Sequence, residues 1–291
     1  MRPLILGLLL ATAGFSADEQ RPPLVVTYIA NEGFLVQGGG KSVLIDALFD
    51  DGFGTYLAPS PELLNKLVEA REPFADIDLI LITHLHGDHF NPKVVAAHLR
   101  KNPRCRLIAH AQVVDQLRNE EGFAQIRDQI SEVRLEPGSQ EKMTINGIAL
   151  DVLCLAHSPY YRDGRNVHEQ TRNLAFAVNL GGTRFLHLGD ATLKNSAAHL
   201  SAHPFDTAHV DLLFLNSSDT SPAAQQMVTQ EIKPEWIVAM HVAPAEFDDD
   251  SKSVRAAYPN AILFAKSMEQ RVFTAPLLPH PHPKRPRRRG H

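Results

Sequence analysis

The chain is 291 residues long, 44% hydrophobic and 21% charged, with a formal net charge of −4 at pH 7. That is the composition of a folded globular protein, and it excludes a wholly disordered chain, a collagen-like repeat and a multi-span membrane protein. Two cysteines are too few for a disulfide framework or a cysteine-rich zinc module, so the count that stands out is fifteen histidines.

Residues 1–16 begin with Arg2, continue in the apolar run Leu4 to Leu10 and finish in small residues up to Ser16. This is the order of a signal peptide, and the run is too short to span a bilayer of roughly 30 Å, so export to the periplasm or beyond is expected. Residues 17–275 are expected to form one domain. It opens with strands at Leu24 to Ala30, Phe34 to Gln37 and Val43 to Asp46, the last two separated by Gly38-Gly39-Gly40. The continuous apolar run Ile77 to Thr83 predicts a strand covered on both faces, and Asn91-Pro92 starts a helix that runs to about Lys101. A second strand and helix follow at Arg106 to His110 and Ala111 to Arg118. Two hairpins come next, Lys142 to His157 turning at Asn146-Gly147 and Leu174 to Leu188 turning at Gly181-Gly182, pairs that supply the positive φ of a type I′ turn.

Strands and helices then alternate: Val210 to Asn216, Pro222 to Glu231, Trp236 to Val242, Lys252 to Tyr258 and Ile262 to Ala265. Strands that lead each half, with helices behind them, predict an α/β fold: an αββα sandwich of two facing mixed sheets with the helices outside. Residues 276–291 carry five prolines and the cluster Lys284, Arg285, Arg287, Arg288 and Arg289. They read as a disordered basic tail, capable of weak contact with an anionic surface. Without Arg2 and that cluster, 23 basic residues face 33 acidic ones, a body too acidic to expect a specific nucleic-acid partner.

The chemistry is concentrated in Thr83-His84-Leu85-His86-Gly87-Asp88-His89-Phe90, directly after the buried strand. Four metal-binding side chains fall within six residues. A loop at a strand end can aim His84 and His86 at one point while Asp88 and His89 turn toward a second. Gly87 is expected where converging ligands leave no room for a Cβ. This HxHxDH run resembles the signature of the metallo-β-lactamase-fold hydrolases. Three later landmarks of that family are matched by His157 in Leu155-Ala156-His157-Ser158, Asp190 in Leu188-Gly189-Asp190-Ala191 and His241 in Ala239-Met240-His241-Val242. The likeness extends over residues 24–265 and implies the αββα sandwich independently of the strand pattern.

The resemblance implies a centre of two divalent ions, with His84, His86 and His157 on the first, Asp88, His89 and His241 on the second, and Asp190 bridging. Imidazole and carboxylate suit Zn²⁺, and Mn²⁺ or Fe²⁺ also fit these ligand types. It implies hydrolysis by a water that bridges the two ions as hydroxide, oriented by Asp88. Asp46, at the end of the third strand, matches a position that holds a ligand histidine in its tautomer, although it reads equally as a turn residue. His168 competes with His157 for the first ion or touches substrate. Cys154, three positions before His157, is expected on the core face of its strand. The histidines at 98, 110, 187, 199, 203 and 209 match no landmark and read as ordinary core or surface residues.

Two long segments overhang such a centre: Ala47 to Pro61, with Phe49, Phe53 and Tyr56, and Ser158 to Asn173, with Tyr160, Tyr161, Arg162 and Arg165. The aromatics and arginines either clamp an anionic group or are ordinary exposed loop residues. The expected partner is a small-molecule ester, lactone or phosphodiester. The Gly189-Asp190 pair weighs against a β-lactamase-type amide hydrolase, since drug-hydrolysing members generally lack that aspartate. That activity and a non-catalytic metal- or ligand-binding protein of the same fold are the alternatives. Oligomeric state is not legible in the sequence.

Overall fold

The computed structural model describes residues 21–202 and 209–274. The expected signal peptide, the basic tail and His203 lie outside the described residues. A meander of β1 (Leu24–Ala30), β2 (Gly33–Gly38) and β3 (Lys41–Ile45) leads into a long loop and α1 (Pro61–Val68). Ser60 caps that helix by accepting from Leu63 N, with Pro61 at the first helical position. Next come β4 (Leu79–Ile82), α2 (Pro92–Lys101), capped by Asn91, β5 (Arg106–His110), α3 (Ala111–Leu117), α4 (Phe123–Ile126) and β6 (Ile130–Val133). The second half begins with β7 (Gln140–Ile145) and β8 (Ile148–Ala156), then a short hairpin of β9 (Tyr161–Arg162) and β10 (Arg165–Asn166). It continues through β11 (Arg172–Leu180), β12 (Thr183–His187), α5 (Leu193–Ala202), β13 (Leu212–Asn216), α6 (Pro222–Gln226), β14 (Trp236–Met240), α7 (Phe247–Ala257), β15 (Ile262–Leu263) and β16 (Gln270–Phe273).

The strands form two seven-stranded sheets, ordered β16-β1-β2-β3-β4-β5-β6 and β15-β14-β13-β12-β11-β8-β7. Each has one antiparallel half, β16 to β3 or β7 to β12, and then three parallel neighbours. Alternate residues of both sheets face each other across a central core that includes Val26, Phe34, Ile45, Leu81, Val152, Phe176, Phe214 and Val238. The opposite faces are covered by helices: Leu44, Ile80 and Leu107 pack under Leu63, Leu67 and Val95, and Leu153, Ala175 and Leu213 under Leu193, Met227 and Val254. The fold is the expected αββα sandwich, and Cys154 lies in its central core. Where the β2–β3 and β11–β12 turns meet, Gly39 (φ 56°) and Gly181 (φ 62°) approach so closely that a Cβ on Gly39 would lie 2.6 Å from Gly181 Cα.

Several elements differ from expectation. The expected strand Ile77 to Thr83 is regular only over β4, and the helix expected from Lys252 begins five residues earlier, where Asp248, Asp249 and Asp250 occupy its first turn. The helix expected over Pro222 to Glu231 stops at Gln226 and widens into a π-helix over Met227–Ile232. The segment Ser158 to Asn173 contains the β9–β10 hairpin, turned by Asp163 and Gly164, both at positive φ.

Candidate metal centre

The antiparallel-to-parallel change falls at β3/β4 in one sheet and at β12/β13 in the other, and loops leaving the strand ends around these seams converge. Asp46 follows β3 in a left-handed conformation (φ 44°) that turns its carboxylate under the next strand. It accepts from Thr83 N at 2.8 Å and Thr83 Oγ1 at 2.6 Å, and His89 Nδ1 lies 3.0 Å away. Thr83 has one hydroxyl hydrogen, and Asp46 takes it. His84 Nδ1, 3.0 Å from Thr83 Oγ1, must therefore be the donor in that pair. One buried carboxylate thus fixes the tautomers of two histidines, and both Nε2 atoms are turned to the cleft. His157 Nδ1 donates to Ser158 O at 2.8 Å, which frees its Nε2 in the same way.

These free nitrogens gather at two points. At the first, His84 Nε2 is 3.0 Å from His86 Nδ1 and 3.3 Å from His157 Nε2, while Asp190 Oδ2 is 3.2 Å from His157 Nε2 and 3.7 Å from His84 Nε2. Metal–ligand bonds of about 2.0–2.1 Å in a tetrahedron separate their donors by roughly 3.3–3.4 Å, which these distances bracket. At the second, His89 Nε2 is 3.6 Å from both Asp88 Oδ2 and Asp190 Oδ1; His241 Nε2 is 3.8 and 3.4 Å from the same two oxygens. The two oxygens of Asp190 therefore face different donor sets.

The supporting contacts explain why these side chains stand where they do. Asn31 Nδ2 donates to Asp88 Oδ2 at 3.1 Å. Asn173 accepts from Asp190 N at 3.0 Å and donates to Leu188 O at 2.8 Å, clamping the turn after β12. Gly189 in that turn has φ 57°, and a Cβ there would lie 2.5 Å from Asn173 Oδ1 and 2.7 Å from Thr83 Cβ. No other residue type fits between the two loops.

Electrostatically the centre is built to receive cations. Burial, together with the neighbouring His89, holds the His84 imidazole well below its ordinary pKa, and burial beside His157 and His168 holds His86 down to about 3. Burial also lowers His241. His89 goes the other way: burial disfavours its charge, but the carboxylates of Asp190, Asp46 and Asp88 outweigh that and raise it. Burial opposes the charge of Asp190, yet His241, His89, His157 and His84 around it keep it ionised. Three atoms facing the centre, His89 Nε2, Asp190 Oδ1 and Glu32 Oε2, are buried with no hydrogen-bond partner among the described residues. Unpartnered polar atoms of this kind are costly in a protein interior unless an ion meets them, so the residues fit bound metal.

The seven ligands implied by the sequence, His84, His86, Asp88, His89, His157, Asp190 and His241, are brought together. His168 is not in either donor group. Its ring stands 4.4 Å from that of His157 and 4.6 Å from that of His86, with Nδ1 3.1 Å from the same Ser158 carbonyl. Tyr160 lies beyond it at 5.7 Å, and Arg162 and Arg165 are exposed partners across the hairpin that ends at Asn166, two residues before His168. From the other side the Tyr56 ring packs 4.1 Å from His241. Gly87 departs from expectation: ligands do not crowd it, and a Cβ there would meet the exposed ring of Phe53 at 3.1 Å. Two residues passed over by the sequence reading belong to the site. Glu32 is fully buried beside Asp190, and His187, read as an ordinary histidine, lies behind the centre with Nε2 3.1 Å from Glu32 O. The signal for Glu32 was a charged residue between two apolar strands.

Residues 41–247 match the family profile described as Beta-lactamase superfamily domain. The chain is 25% identical over 217 residues to a UPF0173 metal-dependent hydrolase of Thermococcus kodakarensis, covering 74% of this chain and 83% of the relative. Among solved structures, Igni18, a metallo hydrolase from Ignicoccus hospitalis, superposes with a TM-score of 0.54 at 15% identity, over 87% of this chain and 100% of its own. The metallo-beta-lactamase fold protein YhfI from Bacillus subtilis gives 0.53 at 16% identity, over 85% and 99%.

Proposed function

Because the chain belongs to the Beta-lactamase superfamily domain family, we propose that it is a metal-dependent hydrolase with a dinuclear centre, zinc in at least one position, acting on a small ester, lactone or phosphodiester. The observation that carries this reading is Asp190, whose Oδ2 faces His157 and His84, with His86 in the same donor group, and whose Oδ1 faces His89 and His241. Metal ions, when bound there, supply the Lewis acidity that brings the ionisation of a water toward neutral pH.

The chain's own groups do the rest. Asp88, fixed by Asn31, orients the attacking water by accepting its hydrogen bond. His168, tied through Nδ1 to Ser158 O, presents Nε2 to a substrate above the centre. Tyr56, pushed up to about 12 by partial burial and by Asp190 and Asp88, keeps its phenolic hydrogen and can donate it to a substrate oxygen. Of the three bond types, the phosphodiester is favoured by Arg162 and Arg165. Two cations set opposite each other across a hairpin repel, and an anionic substrate relieves that repulsion. Export through residues 1–16 is part of the proposal, and cell fractionation tests it.

The test is a screen of protein reconstituted with zinc or manganese against chromogenic phosphodiesters, lactones, esters, thioesters and a cephalosporin. Turnover of one of the first three classes is expected. Less than one equivalent of transition metal after gentle isolation, with no turnover after metal is restored, overturns the reading. Cleavage of the cephalosporin alone selects the amide-hydrolase alternative.

A further inference from the structure

Glu32 has no role in the reaction proposed for the centre, although it is fully buried beside it. It follows Asn31, whose φ of 46° turns the chain inward between β1 and β2, and its side chain is fully buried. Oε1 is 3.5 Å from Asn216 Nδ2, at the outer limit of a hydrogen bond, and Oε2 has no geometrically defined hydrogen bond among the described residues. His89 Nδ1 lies 4.0 Å from Oε2, but that nitrogen is already engaged by Asp46 at 3.0 Å. Asp190 and Asp46 lie near it as further carboxylates, and the His89 imidazole is the favourable charge beside it. A carboxyl group buried in such company needs either a proton or a further cation.

Two groups of donor atoms include this residue: Glu32 with Asp190 and His241, and Glu32 with Asp46 and His187, each gathered within 4.8 Å. The second cannot take an ion of its own, because both ring nitrogens of His187 are occupied, Nδ1 by Gly189 N at 3.2 Å and Nε2 by Glu32 O at 3.1 Å. The first adjoins the second metal position, whose donors are 3.4–3.8 Å apart against 3.0–3.7 Å at the first.

We propose that Glu32 is a fifth protein ligand of the second ion, which makes that position selective for a hard five- or six-coordinate cation, Mn²⁺ or Fe²⁺, while Zn²⁺ takes the first. The inference rests on the dinuclear reading. The first position has three imidazoles and one carboxylate, a set that suits tetrahedral zinc. With Glu32 the second has three carboxylates, Glu32, Asp88 and Asp190, beside the imidazoles of His89 and His241. Oxygen-rich sets of higher coordination number favour harder cations, so the centre would be heterometallic.

The full chain is titrated with Zn²⁺ and Mn²⁺ under chelator competition, with bound metal counted and Mn²⁺ followed by electron paramagnetic resonance. The wild type is expected to hold one zinc and one manganese. Glu32→Gln should weaken manganese by about 10–100-fold, the range for loss of a residue that supports a metal, and leave the zinc unchanged. Glu32→Asp should recover part of the loss. Unchanged manganese affinity in Glu32→Gln, with two ions still bound, overturns the role of Glu32 alone; fewer than two ions in the wild type overturns the dinuclear reading and this one with it. A second measurement needs no variant: infrared difference spectra of wild-type protein labelled with ¹³C-glutamate. A glutamate carboxylate band that moves on Mn²⁺ binding is expected. A glutamate spectrum that does not respond means that a proton, not the metal, meets Glu32, and it overturns the proposal.

Discussion

Replacing Asp46 by Asn should weaken one metal position and spare the other. The amide orientation is dictated: Oδ1 must stay toward Thr83 N, which only donates, so the NH₂ takes the place of Oδ2. Thr83 Oγ1 accepts one of its hydrogens and still has a lone pair for His84 Nδ1–H, so the His84 tautomer that serves the first ion remains available. His89 Nδ1 has no such freedom. A donor now faces it at about the present 3.0 Å, and the imidazole satisfies that donor only by moving its own hydrogen to Nε2. That nitrogen is the one 3.6 Å from Asp88 Oδ2 and Asp190 Oδ1, so the hydrogen occupies the metal's place. Outer contacts of this type are worth about 10–100-fold in affinity, or roughly 1.4–2.7 kcal/mol. Chelator titration of each equivalent should show the second ion weakened within that range and the first within a factor of about two of wild type. Equal weakening of both ions, or of neither, would refute the tautomer argument.

Gly189→Ala should lower the unfolding midpoint and abolish tight metal binding, since the added Cβ meets Asn173 and Thr83 in a φ > 0 turn; a cost of about 1–3 kcal/mol is expected for such strain, read by thermal denaturation. His157→Ala should lose the first ion, whereas His168→Ala should retain both ions and lose turnover; metal content alone separates the two. Burial pushes His187 from its ordinary 6.5 down to about 4, so the native state keeps it neutral while the unfolded chain binds a proton. Its contribution is therefore fully present above about pH 6.5 and is lost as pH falls toward 4, about 2–3 kcal/mol between roughly pH 7 and pH 4.5. Denaturant unfolding of His187→Gln should show a correspondingly flatter pH dependence, and an unchanged slope would exclude His187 as its source.

The parts of the fold written in local chemistry were legible. Apolar runs marked β4 and β5, and the Asn146-Gly147 and Gly181-Gly182 turns, all at positive φ, marked the two hairpins. The parts that depend on distant partners were not: β16 exists because it closes the edge of β1, some 240 residues earlier in the chain, and its own residues are mostly exposed. The capping signature Ser60-Pro61 and the turn pair Asp163-Gly164 were present and were absorbed into long loops, because short amphipathic stretches beside them gave no periodicity. In the site, HxHxDH and the family landmarks pointed to seven residues that converge. Glu32 escaped because one acidic residue in a turn is ordinary until burial removes its water, and His187 because its role lies in both ring nitrogens rather than in spacing.

The mirrored sheets divide the centre between them. The first supplies His84, His86, Asp88 and His89; the second supplies His157, Asp190 and His241. Neither half alone carries a full donor set for either ion. His84 and His157 are 73 residues apart, and closing such a distance by metal alone would cost chain entropy before any packing repaid it. Ions bound there would therefore brace the two sheets against each other, since each would draw donors from both halves, rather than shape one short loop as zinc does in a small finger.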